Sequence, residues 1–211
     1  MKIVAAGLGK RFNREWIFKN LSYEFEPGTY AVTGPNGSGK STLLQVLWGQ
    51  VPPSAGAVSY SHNGVDIAAE DIYQSLAIAT SYMEVIEEFT LREMIAFHFS
   101  FKKIRFGKTA DEVLEYMELA HADTKYISEF SSGMRQRLKL TLAMLSDTPV
   151  LFLDEPTTNL DVKSIGWYLK TLASLPAETI VIIASNQEHE YPASAKKVNI
   201  LTYKQVTTSS F

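Results

Sequence analysis

"TYAVTGPNGSGKSTLLQVLWG", residues 29–49, joins a strand-length apolar run to a helical pattern through a turn rich in glycine. Its centre, "GPNGSGKST" (34–42), fits G-x-x-x-x-G-K-[ST] in the context that motif requires, a strand before it and a helix after. Glycines let backbone N–H groups turn inward around phosphate oxygens, and a helix start adds a dipole that favours anions. Gly34, Pro35, Asn36, Gly37, Ser38 and Gly39 would form the cradle. Lys40 would reach the β- and γ-phosphates, and Ser41 would offer its hydroxyl to Mg²⁺.

Around this turn the chain reads as α/β. "LSYEFE" (21–26) alternates apolar and polar residues, as a strand with one wet face does. "VSYS" (58–61) and "LAIAT" (76–80) read as strands, and Pro52, Pro53 and Gly56 mark a loop between helix and strand. From about 84 to 146 the pattern is helical, over Leu91 to Phe101, Ala110 to Leu119 and Gly133 to Ser146. "VLFLD" (150–154) and "TIVIIA" (179–184) are continuous apolar runs of the kind buried on both faces of a parallel sheet. A helical stretch at 162–174 separates them.

Composition bounds the partners. The chain has 211 residues, 45% hydrophobic and 20% charged, with a formal net charge of −3. That balance offers no general attraction to nucleic acid or to an anionic membrane surface. Absence of cysteine excludes disulfides and cysteine-held metal or iron–sulfur sites and fits a reducing cytosol. "MKIVAAGLGKRF" lacks a signal-peptide pattern, and no apolar run approaches the ~18 residues that span a bilayer. Work at a membrane would require another chain as anchor.

"VLFLDEPTTNLD" (150–161) puts two adjacent carboxylates where a buried strand ends. Side chains alternate along a strand, so Asp154 and Glu155 point differently and need not share a role. Beside a phosphate loop, one can orient Mg²⁺ while the other approaches an attacking water.

These stretches, with "FSSGMRQRL" (130–138) between them, resemble the ATP-binding-cassette (ABC) ATPases over nearly the whole chain. The resemblance implies a P-loop NTPase core with a mostly parallel sheet, an antiparallel N-terminal β subdomain and an inserted helical subdomain. Residues 1–83 and 147–211 would form the core and 84–146 the insert. It implies ATP and Mg²⁺ as ligands, a second ABC ATPase subunit, identical or not, and a transmembrane permease subunit, with no nucleic acid. The chain would be cytoplasmic, at the inner face of the membrane through the permease. Two ATPs would be sandwiched in a head-to-tail dimer. Each would lie between one subunit's phosphate loop and Ser131 and Gly133 of the other's signature. Ser131 also suits a helix N-cap. Glu155 matches the general base, Asp154 a Mg²⁺ ligand, Thr42 an α-phosphate contact, and Asp161 a bridge to the opposing subunit. Phe12, 28 residues before Lys40, matches the aromatic that stacks on adenine, in preference to a core role. Trp16 is its nearby competitor.

Three departures matter. Phe130, Ser132 and Met134 stand where the family signature has leucine, glycine and glutamine. Aligning back from Thr90 puts Ser81 at the position of a glutamine that touches Mg²⁺, and a serine would reach the metal only through water. Gln74 precedes the strand and substitutes poorly. Asn186 stands where the family has a switch histidine. Its amide donates a hydrogen bond but does not titrate. His189, three residues on, reads as an exposed loop residue. Phe97, Phe99, Phe101 and Phe106 read as the core of the helical insert rather than a permease contact, and Lys102, Lys103, Arg105 and Lys108 as a solvated face. Two other functions stay open: a soluble ABC ATPase without transport, and a slow ATP clamp, motivated by Ser81 and Asn186.

Overall fold

In the computed structural model, which describes residues 1–204, an open parallel sheet and a smaller antiparallel sheet share one apolar layer. Residues 205–211 of the assigned core lie outside the described residues. The parallel sheet has the order β6-β7-β8-β3-β9, from β3 (Gly28–Thr33), β6 (Leu76–Thr80), β7 (Val150–Asp154), β8 (Ile180–Ala184) and β9 (Lys196–Asn199). All five residues of β7 and of β8 are buried, which explains their unbroken apolar runs. Helix α1 (Lys40–Leu47) follows β3 and buries Leu43, Leu44 and Leu47 against this sheet. On the opposite face α5 (Val162–Ala173) contributes Trp167, Tyr168 and Leu172.

The antiparallel sheet has the order β2-β1-β4-β5, from β1 (Lys2–Phe12), β2 (Glu15–Phe25), β4 (Ala55–His62) and β5 (Val65–Ile67). Strand β2 begins six residues before the alternation at 21–26, and β1 has no counterpart in the sequence analysis. The reason lies in β1 itself. Its register against β2 shifts between Ala5 and Leu8, around Gly7 at φ 58°, so its apolar residues do not alternate cleanly. The hairpin turns at Asn13 and Arg14, with Asn13 at φ 53°, a conformation asparagine tolerates.

Helices α2 (Leu91–Phe101), α3 (Ala110–Tyr116) and α4 (Ser132–Met144) build a further core around Leu91, Ile95, Val113, Leu138 and Leu142. Capping boxes at Thr90/Glu93 and Thr109/Glu112 start α2 and α3. Helix α3 stops before Leu119 because Glu118, at φ 56°, leaves the helical region. Helix α4 serves two cores: Leu138 and Leu142 face the helical one, Leu140 and Met144 the sheet. No helix among the described residues is long and apolar enough to cross a membrane.

Two expectations for residues 97–108 need correction. Phe97, Phe101 and Phe106 are 42%, 74% and 54% exposed, whereas Phe99 does border the helical core. Phe97 stacks edge-on between Phe89 and Phe101 at the surface instead. The basic cluster is a solvated face only in part: Lys103 is exposed, but Lys102 and Arg105 are not free. Arg105 is buried, donating to the Ser146 and Thr148 carbonyls over 2.9 and 2.8 Å, and Lys102 donates to the carbonyls of Tyr73, Gln74 and Leu76. Both cations satisfy backbone carbonyls, Lys102 at the entry to β6 and Arg105 at the entry to β7.

Candidate functional site

The glycine-rich loop leaves β3 and enters α1 through Gly39, which stands at the helix start with φ 101°. Only glycine fits there: a Cβ would lie 2.3 Å from Ile17 Cγ2. No side chain caps α1, so its first N–H groups face the loop. Lys40 is buried and donates to the carbonyls of Gly34 and Pro35 over 3.0 and 3.2 Å. The Ser38 hydroxyl is buried beside it with no hydrogen-bond partner among the described residues. Together the loop holds one cation and several backbone donors, an arrangement suited to a polyphosphate.

Asp154 ends β7, in register with Thr80 of β6 and Ala184 of β8. Its side chain is buried and Oδ1 has no hydrogen-bond partner among the described residues. Burial pushes its carboxyl up to about 6; the Ser41 hydroxyl and the Lys40 charge pull down, and Glu155 adds to the rise. A buried, unpartnered carboxylate oxygen beside a serine hydroxyl is a donor set that fits a hard divalent cation. Glu155 follows at φ 47°, where strand geometry has ended, so its carboxylate departs from the strand's alternation.

Across the sheet, Ser185 N–H donates to Val32 O over 3.1 Å, bringing the end of β8 to the start of the glycine-rich loop. There the Asn186 amide donates to Asn36 Oδ1 over 3.0 Å. The structure thus brings together Asn36, Lys40, Ser41, Asp154 and Asn186 from three strand ends, as expected at the carboxyl edge of a parallel sheet. His189 is exposed as expected, but it lies in a 3-10 turn, Glu188–Glu190, with Nε2 3.2 Å from the Thr157 hydroxyl.

Ser131 and Gly133 lie elsewhere. Ser131 caps α4, its hydroxyl accepting from Met134 N–H over 3.2 Å. Gly133 lets the chain approach the Asn159 carbonyl, which a Cβ would meet at 3.0 Å. Asp161 caps α5, and its hydrogen bonds with Ser164 hold its carboxyl below the ordinary range. These three line one cleft of about 500 Å³ with Arg137 and Lys163, and no residue of the glycine-rich loop borders it. The glycine-rich loop and this cleft therefore lie apart on the chain.

Phe12 ends β1, 49% exposed, with the Lys10 ammonium 4.9 Å from its ring centroid. Half-exposure removes the core alternative. Trp16, flanked by Arg11 and Lys19, is partly covered against Gly9. Ser81 follows β6, where Lys139 on α4 donates to its carbonyl over 2.9 Å. Sequence reasoning missed its neighbour Tyr82, whose hydroxyl accepts from Gln45 on α1 over 3.0 Å. It also missed Gln136 and Glu190, which brace the segment after Asp154. No sequence signal marks them, because each partner lies 20 or more residues away.

The family model described as ABC transporter matches residues 18–158. The Nod factor export ATP-binding protein I of Burkholderia pseudomallei (strain 1710b) is 33% identical over 179 residues, covering 82% of this chain and 59% of that protein. Daunorubicin resistance ATP-binding protein DrrA3 of Streptomyces coeruleorubidus is 30% identical over 206 residues, covering 94% of this chain and 65% of that protein. A solved putative ABC transporter (ATP-binding protein) from Pyrococcus furiosus superposes with a TM-score of 0.80 at 22% identity, covering 97% of this chain and 100% of that one. The chain spans 59% of the length of the first of these curated relatives.

Proposed function

The chain belongs to the ABC transporter family, and on that premise we propose that it is an ATP-binding and ATP-hydrolysing subunit that drives a separate transmembrane permease. The observation that carries this reading is the pair of half-sites: a glycine-rich loop with Asp154, Glu155 and Asn186 around it, and a distinct cleft lined by Ser131, Gly133 and Asp161. Neither is complete alone. Head-to-tail closure of two subunits would complete both, with residues 84–146 as the helical arm that carries the second.

Each side chain then has a role. Lys40 and the loop N–H groups, from Gly34 to Thr42, bind the ATP phosphates, and Phe12 offers its open face to the base. Ser41 and Asp154 would hold Mg²⁺, with Ser81 reaching it through water; the ion when bound neutralises charge on the phosphate oxygens. Glu155 takes the proton of the attacking water, and Asn186 donates its amide to the γ-phosphate. Asp161 and the second subunit's Ser131 and Gly133 close the other side. The name of one relative, Nod factor export ATP-binding protein I, supports export rather than import.

The test is single-turnover hydrolysis of Mg-ATP at high protein concentration. Glu155→Gln is expected to lower the rate ~10²–10⁴-fold while Mg-ATP binding persists. Parental turnover in Glu155→Gln would remove Glu155 from the chemistry. Recovery of a membrane permease with the tagged chain supports transport, and recovery of only soluble proteins opposes it.

A further inference from the structure

Glu155 holds a backbone conformation that long L side chains rarely adopt, φ 47°, and such a conformation persists only where its surroundings over-determine it. Here the bonds arrive from three directions. Glu155 N–H donates to Ala184 O at the end of β8 over 2.9 Å. Gln136, buried on α4, donates Nε2 to Pro156 O over 2.8 Å. Thr157 N–H donates to Glu190 Oε1 over 2.9 Å, and the Thr157 hydroxyl donates to the same oxygen. With that hydrogen committed to Glu190, His189 Nε2 is the donor in its 3.2 Å contact with Thr157.

Glu190 is an expensive residue to place there. It is 1% exposed, forms no ion pair among the described residues, and its Oε2 has no hydrogen-bond partner among them. Burying a carboxylate without a cation costs stability. What the carboxylate provides is an acceptor strong enough to hold two donors of one residue at once. Its backbone is fixed in turn, since Tyr168 donates its hydroxyl to the Glu190 carbonyl over 2.7 Å. The carboxylate therefore ties the segment after β8, which carries Asn186, to the segment after β7, which carries Glu155.

We propose that Glu190, with Gln136 opposite, is a positioning residue for hydrolysis: it fixes the turn at 155–158 so that the Glu155 carboxylate meets the attacking water. The proposal rests on the assignment of Glu155 as general base. Glu190 hydrogen-bonds the turn and not the glycine-rich loop, and reaches Asp154 only through its charge, so its loss is expected to act chiefly on the rate.

Single-turnover hydrolysis and equilibrium Mg-ATP binding on the full chain test this. Misplacing a reacting group by about an ångström costs on the order of 10²-fold in rate, so Glu190→Ala is expected to lose that much with ATP affinity within about twofold of the parent. Glu190→Gln, which keeps an acceptor, is expected to recover most of the rate. Thr157→Val is expected to lose about tenfold and to add nothing to Glu190→Ala in the double variant. If Glu190→Ala does not fold, Glu190→Gln and Thr157→Val carry the test alone. A parental rate in Glu190→Ala or Thr157→Val, a rate and affinity that fall together, or failure of glutamine to restore the rate would overturn the proposal. Glu155→Gln separates the two ideas. If it turns over at the parental rate, the assignment of Glu155 falls and takes this proposal with it. If it is inactive while Glu190→Ala is not impaired, only the role of Glu190 falls.

Discussion

The side-chain amide of Asn186 donates to Oδ1 of Asn36 over 3.0 Å, joining two loops 150 residues apart. The contact follows from the sheet. Strands β3 and β8 run parallel in register, Val32 opposite Ala184, so the loops that leave them start side by side. An amide in this position donates at every pH, whereas an imidazole does so with a charge that depends on pH. Asn186→His is therefore expected to introduce a titration near pH 6.5 into the single-turnover rate, absent from the parent. Rate profiles between about pH 6 and 8 check this, and coincident shapes for the two proteins would remove residue 186 from the reaction.

Asp154 trades stability for a binding position. Burial raises its carboxyl from 3.8 to about 6, so the folded chain holds this proton to a higher pH than the unfolded chain does. Ionising Asp154 therefore removes stability as pH climbs from about 4 through 6, by up to about 3 kcal/mol. Without Mg²⁺ and nucleotide, Asp154→Asn is expected to be more stable than the parent at pH 7.5, and the difference to vanish near pH 4. Urea denaturation at both pH values measures it. The same substitution is expected to abolish Mg-dependent hydrolysis.

The Lys10 ammonium lies over the Phe12 ring, 4.9 Å from its centroid. Half-exposed at 49%, Phe12 supports little of the core. Phe12→Ala is expected to weaken ATP binding by about 1 kcal/mol, roughly fivefold, with the melting temperature held. Phe12→Trp is expected to restore affinity. Equilibrium titration with ATP decides it, and unchanged affinity in the alanine variant would hand the stacking role to another residue.

Arg105 pins the end of the α2 region to the start of β7. Its guanidinium donates to the Ser146 and Thr148 carbonyls and reaches Thr179 Oγ1 at 3.4 Å. Arg105→Ala leaves buried carbonyls unpaired and is expected to cost about 2–4 kcal/mol, read from the urea midpoint. Arg105→Lys recovers only part, since an ammonium lacks the planar fork that spans these acceptors. A loss below about 0.5 kcal/mol would mean that the residue is not a structural pin.

Legibility followed the range of the interaction involved. Strands β6 and β7 and helix α2 were readable to the residue, because an unbroken apolar run or a helical pattern is written locally. Strand β1 was not, because its bulge at Gly7 and the pairing of Ala5 with Tyr23 belong to a partner strand. The exposed Phe97 and Phe101 illustrate the same limit. A helical aromatic stripe reads as core unless a facing element is absent, and only the assembled fold reveals that absence.

What the sequence determined by itself is the chemistry available: a glycine-rich turn into a helix, a carboxylate pair at a strand end, and serine and aspartate caps on two later helices. Each of these depends on neighbours within about four residues, where backbone geometry is fixed by residue type. Only the tertiary structure decided which groups meet. The strand order β6-β7-β8-β3-β9 sets Asn186 on Asn36 and Glu190 under Thr157, and sends Ser131 and Asp161 to a different cleft. Such meetings are enforced by burial of the sheet between its helical layers, a property of the whole chain that no short segment encodes.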